Sequence, residues 1–102
     1  MAEEQLYVIT HIDFAPPQAD AGRELLQGFS TTLRSDPGLV KCEILQQVFR
    51  KNHFELVSVW RDAAAYAAHL AAPSTREFRD ALHPMLGAPF DDRQHRILEV
   101  IE

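Results

Sequence analysis

Cysteine occurs once, as Cys42, so the chain cannot close a disulfide on itself. There are four glycines, and none stands in a Gly-rich phosphate loop, a Walker motif or a dinucleotide fingerprint. The Gly-x-Ser-x-Gly nucleophile elbow is also missing. No apolar run approaches the roughly 20 residues a membrane helix needs. Basic residues are outnumbered, ten against fifteen acidic ones, for a net charge of −5. That charge, with no basic patch interleaved with aromatics, argues against a nucleic-acid surface. The five histidines show no His-x-His or i,i+4 helical pair, and no carboxylate cluster accompanies them, so no metal site is expected. No cofactor is implied by any motif. The polar start Met1-Ala2-Glu3-Glu4-Gln5 is wrong for a secretory signal, and cytoplasm is the expected compartment.

What remains is an ordinary globular composition, 46% apolar and 25% charged over 102 residues, and one domain spanning 1–102 is expected. Leu6 to Phe14 alternates as a strand, with Leu6, Val8, Thr10, Ile12 and Phe14 on one face. Pro16-Pro17 ends it and opens a helix, along which Gly22, Leu25, Leu26, Phe29 and Leu33 repeat at helical spacing. Ser35-Asp36-Pro37-Gly38 is a stop. Leu39 to Arg50 and Phe54 to Trp60 read as two strands of a hairpin with Lys51-Asn52 at its tip. Asp62 is a good N-cap for an alanine-rich helix through Ala72. Ser74 or Thr75 can cap a further helix to about His83, and Ser74 with Glu77 fits a capping box. His95 to Ile101 is the expected last strand.

This order, βαββαβ, predicts an α+β ferredoxin-like fold with a four-stranded antiparallel sheet and helices on one face. The strands are apolar on both faces, and soluble monomers rarely leave such a face bare. A homodimer joined sheet to sheet is therefore expected.

Trp60, the single tryptophan, ends a strand directly before the helix that carries Tyr66 and His69. Phe54, Leu56, Ser58 and Trp60 share one strand face, and Tyr66 and His69 are neighbours three apart on the helix. Together they can line a pocket between sheet and helices, or fill a core. Tryptophan offers an apolar wall and one N–H donor, histidine proton transfer near neutral pH, and a phenol a hydrogen bond to an oxyanion. Arg76 and Arg79 can anchor an anionic oxygen or stay solvated. His11, mid-strand, can reach a cavity; Asp13 shares its face but lies about 7 Å away along the strand. Cys42 has no basic neighbour in sequence and reads as packing.

The stretch Asn52-His53-Phe54-Glu55-Leu56-Val57-Ser58-Val59-Trp60 is followed by Arg61-Asp62, the Ala-rich helix with His69, and Ser74-Thr75-Arg76-Glu77-Phe78. This pattern resembles the antibiotic biosynthesis monooxygenase domain. Leu45-Gln46-Gln47, Thr10-His11-Ile12-Asp13 and Pro16-Pro17 fit as well, so the resemblance covers nearly the whole chain. It implies a dimeric α/β barrel that oxidises quinol-like or phenolic molecules with O₂, without metal or flavin. It further implies a site with catalytic His69, Trp60 and Tyr66, where Leu56, Ser58, Phe78, Arg76, Arg79 and His11 are candidates for substrate binding. Two departures stand out. Leu56 replaces an asparagine of some phenol-oxidising members, and the helix from Arg76 to Leu82 lacks the axial histidine of haem-degrading relatives, with Arg79 roughly in its place. The alternatives are a small-molecule isomerase or degradation enzyme on the same scaffold, and a non-catalytic dimeric binding or stress-response module.

Overall fold

The computed structural model describes residues 4–102. Four strands form one antiparallel sheet: β1 Leu6–Asp13, β2 Leu39–Gln46, β3 His53–Trp60 and β4 Asp91–His95, in the order β2-β3-β1-β4. Three α-helices, α1 Ala19–Arg34, α2 Ala63–Ala71 and α3 Pro73–Leu82, accompany it. This is the expected ferredoxin-like arrangement. Among the described residues no helix is long and apolar enough to cross a membrane.

The alternation in β1 and β3 decides what the core is made of. Val8, Thr10 and Ile12 of β1 and Phe54, Leu56, Ser58 and Trp60 of β3 are buried. Register pairs them across the two central strands, Ile12 with Phe54, Thr10 with Leu56 and Val8 with Ser58. Leu26, Phe29 and Leu33 of α1, and Phe78 and Leu82 of α3, close over them. Asp62 caps α2 by accepting the Ala65 N–H at 2.8 Å, and that bond holds its carboxyl below the ordinary carboxylate range.

The structure differs from the sequence expectation at several points. β2 stops at Gln46 rather than Arg50, so residues 47–52 form a longer loop with Val48 and Phe49 exposed. Asn52 does not merely turn the chain. Its side chain donates to the Phe14 carbonyl at 2.7 Å and its own carbonyl accepts the Phe14 N–H at 2.8 Å, tying the hairpin to the end of β1. The register also slips between Leu39 and Lys41, so Leu39 and Lys41 pair with the successive residues Trp60 and Val59 and Val40 is left exposed in the bulge. α3 begins two residues earlier than the capping box predicts: Pro73 is its first residue, Ala72 is the N-cap, and Ser74 lies inside the helix. Finally, the last strand is the polar Asp91–His95, not His95–Ile101. Strand register, not hydrophobicity, selects it, because Asp92 pairs with Thr10 and Arg93 with Ile9.

α1 approaches β1 so closely that position 22 has no room for a side chain. A Cβ built on Gly22 would stand 2.5 Å from two ring carbons of Phe14, which is fully buried and packed edge-on against Phe54. Gly28, on the same helix, faces open space. Alanine favours a helix over glycine by about 1 kcal/mol, whereas overpacking a filled core costs roughly 1–3 kcal/mol. Gly28→Ala is therefore expected to stabilise the protein and Gly22→Ala to destabilise it. Urea unfolding of both variants checks this, and stabilisation by Gly22→Ala would contradict the contact.

Candidate functional site

The strand-to-helix corner brings Trp60, Tyr66 and His69 together. The Trp60 and His69 ring centroids are 4.6 Å apart, Trp60 and Tyr66 5.6 Å, and Tyr66 and His69 5.9 Å. Tyr66 and His69 meet because helical spacing puts them on one face of α2, and that face rests on the end of β3. Phe29, from α1, adds a fourth ring 6.0 Å from His69 and stacks on Phe78 of α3. The box so formed is buried: Trp60 is 1% exposed and Tyr66 5%.

His69 is held by groups that fix its proton. The Thr75 hydroxyl donates to the His69 backbone carbonyl at 2.7 Å, and its oxygen lies 3.3 Å from Nδ1. With its own proton committed, that oxygen can only accept, which favours the Nδ1–H tautomer and leaves Nε2 as the basic nitrogen. Asp36, from the turn after α1, stands 3.9 Å from Nδ1. Burial among the rings lowers the His69 pKa below the usual 6.5, and this outweighs the opposing charge of Asp36. At neutral pH the imidazole is therefore neutral. Burial, reinforced by the negative charge of Asp92, raises the Tyr66 pKa to about 12, so the phenol keeps its proton and can act as a donor.

A polar strip crosses the pocket opposite the rings. Thr10 donates to Asp92 Oδ1 at 2.5 Å, and Arg79 donates to Asp92 Oδ2 at 2.7 Å while lying 4.8 Å over the Phe90 ring. Arg79 and Asp92 are partly exposed and mark the rim. The enclosed cavity has a volume of only about 20 Å³, room for about one water molecule.

Of the residues singled out in the sequence, Trp60, Tyr66, His69, Leu56, Ser58, Phe78 and Arg79 line this pocket. Two do not. Arg76 is exposed on α3 and outside it. His11 lies on the opposite face of the sheet, beside Asp13 and His53. The backbone does separate His11 and Asp13 as the strand spacing demands, but their side chains converge to 2.8 Å. The Trp60 N–H, read as a donor to a ligand, instead donates to Ser58 Oγ at 2.9 Å. Asp92, Thr10, Thr75 and Asp36 complete the polar part of the site and are not among the candidate site residues read from the sequence. Thr10 was legible as an inward strand position, but Asp92 required the true register of β4. Cys42 packs against the core, where burial and the neighbouring Glu43 raise its thiol pKa and so disfavour the thiolate.

The ferredoxin-like topology with an aromatic pocket between the sheet and its helices defines the class to which this protein belongs. More specifically, the chain belongs to the antibiotic biosynthesis monooxygenase family, whose description matches residues 5–81. A protein of Synechocystis, sll1783, is 26% identical over 98 residues, covering 96% of this chain and 67% of that protein. Among solved structures, PA3566 of Pseudomonas aeruginosa superposes with a TM-score of 0.88 at 22% identity, covering 97% of this chain and 99% of that one. Rv0793 of Mycobacterium tuberculosis gives 0.87 at 19% identity, covering 96% and 99%. Membership gives the chain a small-molecule monooxygenase-like scaffold.

Proposed function

We propose that this protein oxidises a small quinol-like or phenolic molecule with O₂, with no metal or flavin in the reaction, in the pocket bounded by Trp60, Tyr66 and His69. The observation that carries this reading is the buried imidazole of His69, oriented by Thr75 and packed among aromatic rings, where burial lowers its pKa. In the proposed reaction His69 Nε2 takes the phenolic proton. The electron-rich ring carbon then adds O₂, and the peroxide breaks with loss of the ring hydrogen. One oxygen atom stays as the quinone carbonyl and the other leaves as water. In this reading Tyr66, still protonated, donates to the developing oxyanion, and the rings orient a flat substrate. Substrate entry requires the Arg79–Asp92 pair at the rim to part.

O₂ uptake with a panel of hydroquinones, with and without chelator, tests the reading. Consumption above autoxidation that survives chelation is expected, and rates equal to the blank would dismiss it.

The nearly filled pocket favours a second reading, a non-catalytic binding module in which these rings serve as core. An isomerase acting on an anionic substrate is less supported, because Arg79 is committed to Asp92.

The proposed assembly is a homodimer. Tyr7, Ile9 and Val57 face away from the helices in the two central strands and are only half-buried, and Ile97, Leu98, Val100 and Ile101 extend with large exposure. Light scattering at micromolar concentration should give twice the chain mass, and a stable monomer would refute the dimer.

A further inference from the structure

On the sheet face turned away from the pocket, Asp13, His11 and His53 form a cluster that the proposed oxidation does not use. Asp13 and His53 are direct cross-strand partners in the β1–β3 register, and His11 lies two residues before Asp13 on the same face. His11 Nε2 and His53 Nδ1 each come within 2.8 Å of Asp13 Oδ1. Yet Oδ1 is buried with no partner in hydrogen-bond geometry. Two ring nitrogens thus converge on one carboxylate oxygen at contact distance but poorly aligned for hydrogen bonds. We propose that these three side chains bind a divalent transition-metal ion of the zinc class, through His11 Nε2, His53 Nδ1 and the Asp13 carboxylate.

The donor set is chemically suited to such an ion. Two imidazoles and one carboxylate form the set found with zinc and with other first-row divalent ions that keep open coordination positions. Their ligand atoms all lie within 4.8 Å of one another. A tetrahedral ion with bonds of about 2.0–2.1 Å spaces its ligands roughly 3.3 Å apart, which small rotations of these side chains reach. The second nitrogen of His11, Nδ1, lies 3.5 Å from Glu55 Oε1. A carboxylate behind a ligating imidazole fixes its tautomer and raises its basicity, so Glu55 is the positioning residue of the site. Asp13 and Glu55 supply negative charge for a dication. On the neighbouring strand, the Arg93 guanidinium is engaged by Asp91 at 3.0 Å. In the single chain the open side faces a cleft of about 220 Å³ bordered by Leu45, Gln46 and Gln47, where a water or a ligand oxygen can complete the coordination. No sequence spacing announces this site, because its third ligand comes from a different strand.

Zinc titration into chelator-treated protein carrying no histidine tag tests the proposal by calorimetry at pH 7.5. One ion per chain is expected. Affinity should fall at least about tenfold in Asp13→Asn and in His53→Gln, and about 10–100-fold in Glu55→Gln through the loss of the second-layer carboxylate. Long-range ¹⁵N spectra of the unmodified protein's imidazoles provide a readout that does not depend on any variant folding. Zinc should shift His11 Nε2 and His53 Nδ1 together and leave His69 unchanged. Absence of saturable binding, binding indifferent to Asp13→Asn and His53→Gln in folded variants, or shifts confined to His69, His83 or His95 would each overturn it. Because the site lies across the sheet from Trp60, its failure leaves the oxidation reading untouched, and the reverse also holds.

Discussion

His69→Gln is expected to lower quinol-dependent O₂ uptake by about 10²–10⁴-fold, the usual contribution of a positioned general base. Glutamine keeps a polar side chain of similar reach but cannot accept a proton at neutral pH. The pH profile gives the sharper discrimination. Desolvation holds the His69 pKa below 6.5, so the base form persists as the solution is acidified, and the acid limb of the rate profile should fall below pH 6.5. The same shift has a consequence for folding. A histidine that titrates lower in the fold than in the unfolded chain favours the fold above its unfolded pKa of about 6.5, and this contribution fades as the pH falls through and below that value. In the His69→Gln variant both the acid limb and this part of the acid sensitivity should vanish. A variant that retains turnover within about threefold, or that keeps the same acid limb, would remove His69 from the reaction.

Trp60→Ala should be the most destabilising single change at the site. The indole is 1% exposed, is the largest fully buried side chain among the described residues, and packs on both Tyr66 and His69. Truncating a buried tryptophan costs about 3–5 kcal/mol, a large part of the 5–15 kcal/mol that typically holds a domain folded. The change also leaves the Ser58 hydroxyl, 4% exposed in its residue, without the indole donor. Trp60→Phe keeps most of the ring contact and loses the N–H, so it should cost markedly less. Urea unfolding followed by circular dichroism measures both, since the only tryptophan is lost in each. A loss under about 1 kcal/mol for Trp60→Ala would mean that the corner is far looser than the ring distances indicate.

These two effects concern one side chain that was conspicuous in the sequence and one whose role depends on its surroundings. Trp60, Tyr66 and His69 were readable as a group because strand alternation and helical spacing are local rules. Phe54, Leu56, Ser58 and Trp60 follow a period of two, and Tyr66 and His69 lie three apart. The same rules located β1, β3, α1 and α2 to within a residue or two. They failed where register overrode composition. The apolar segment Ile97 to Ile101 looked more like a strand than Asp91-Asp92-Arg93-Gln94-His95, but pairing to β1 is made by the latter. The bulge at Val40 was equally invisible, since an extra residue leaves the alternating pattern intact on either side of it.

By itself, then, the sequence determined the order of elements, the inward face of the central strands and the aromatic corner around Trp60, because each follows from periodicities of adjacent residues. Only the tertiary structure decided what the corner can do. It brought Asp92 across from Thr10 to hold Arg79, turned Thr75 and Asp36 onto His69, and spent the indole N–H on Ser58. It also gathered His11, Asp13 and His53 on the far face. Apart from the indole on Ser58, which lies two residues away on β3, these contacts join residues from different elements, and the geometry of hydrogen bonds and ion pairs over such distances is fixed by strand register and by the seating of helices on the sheet.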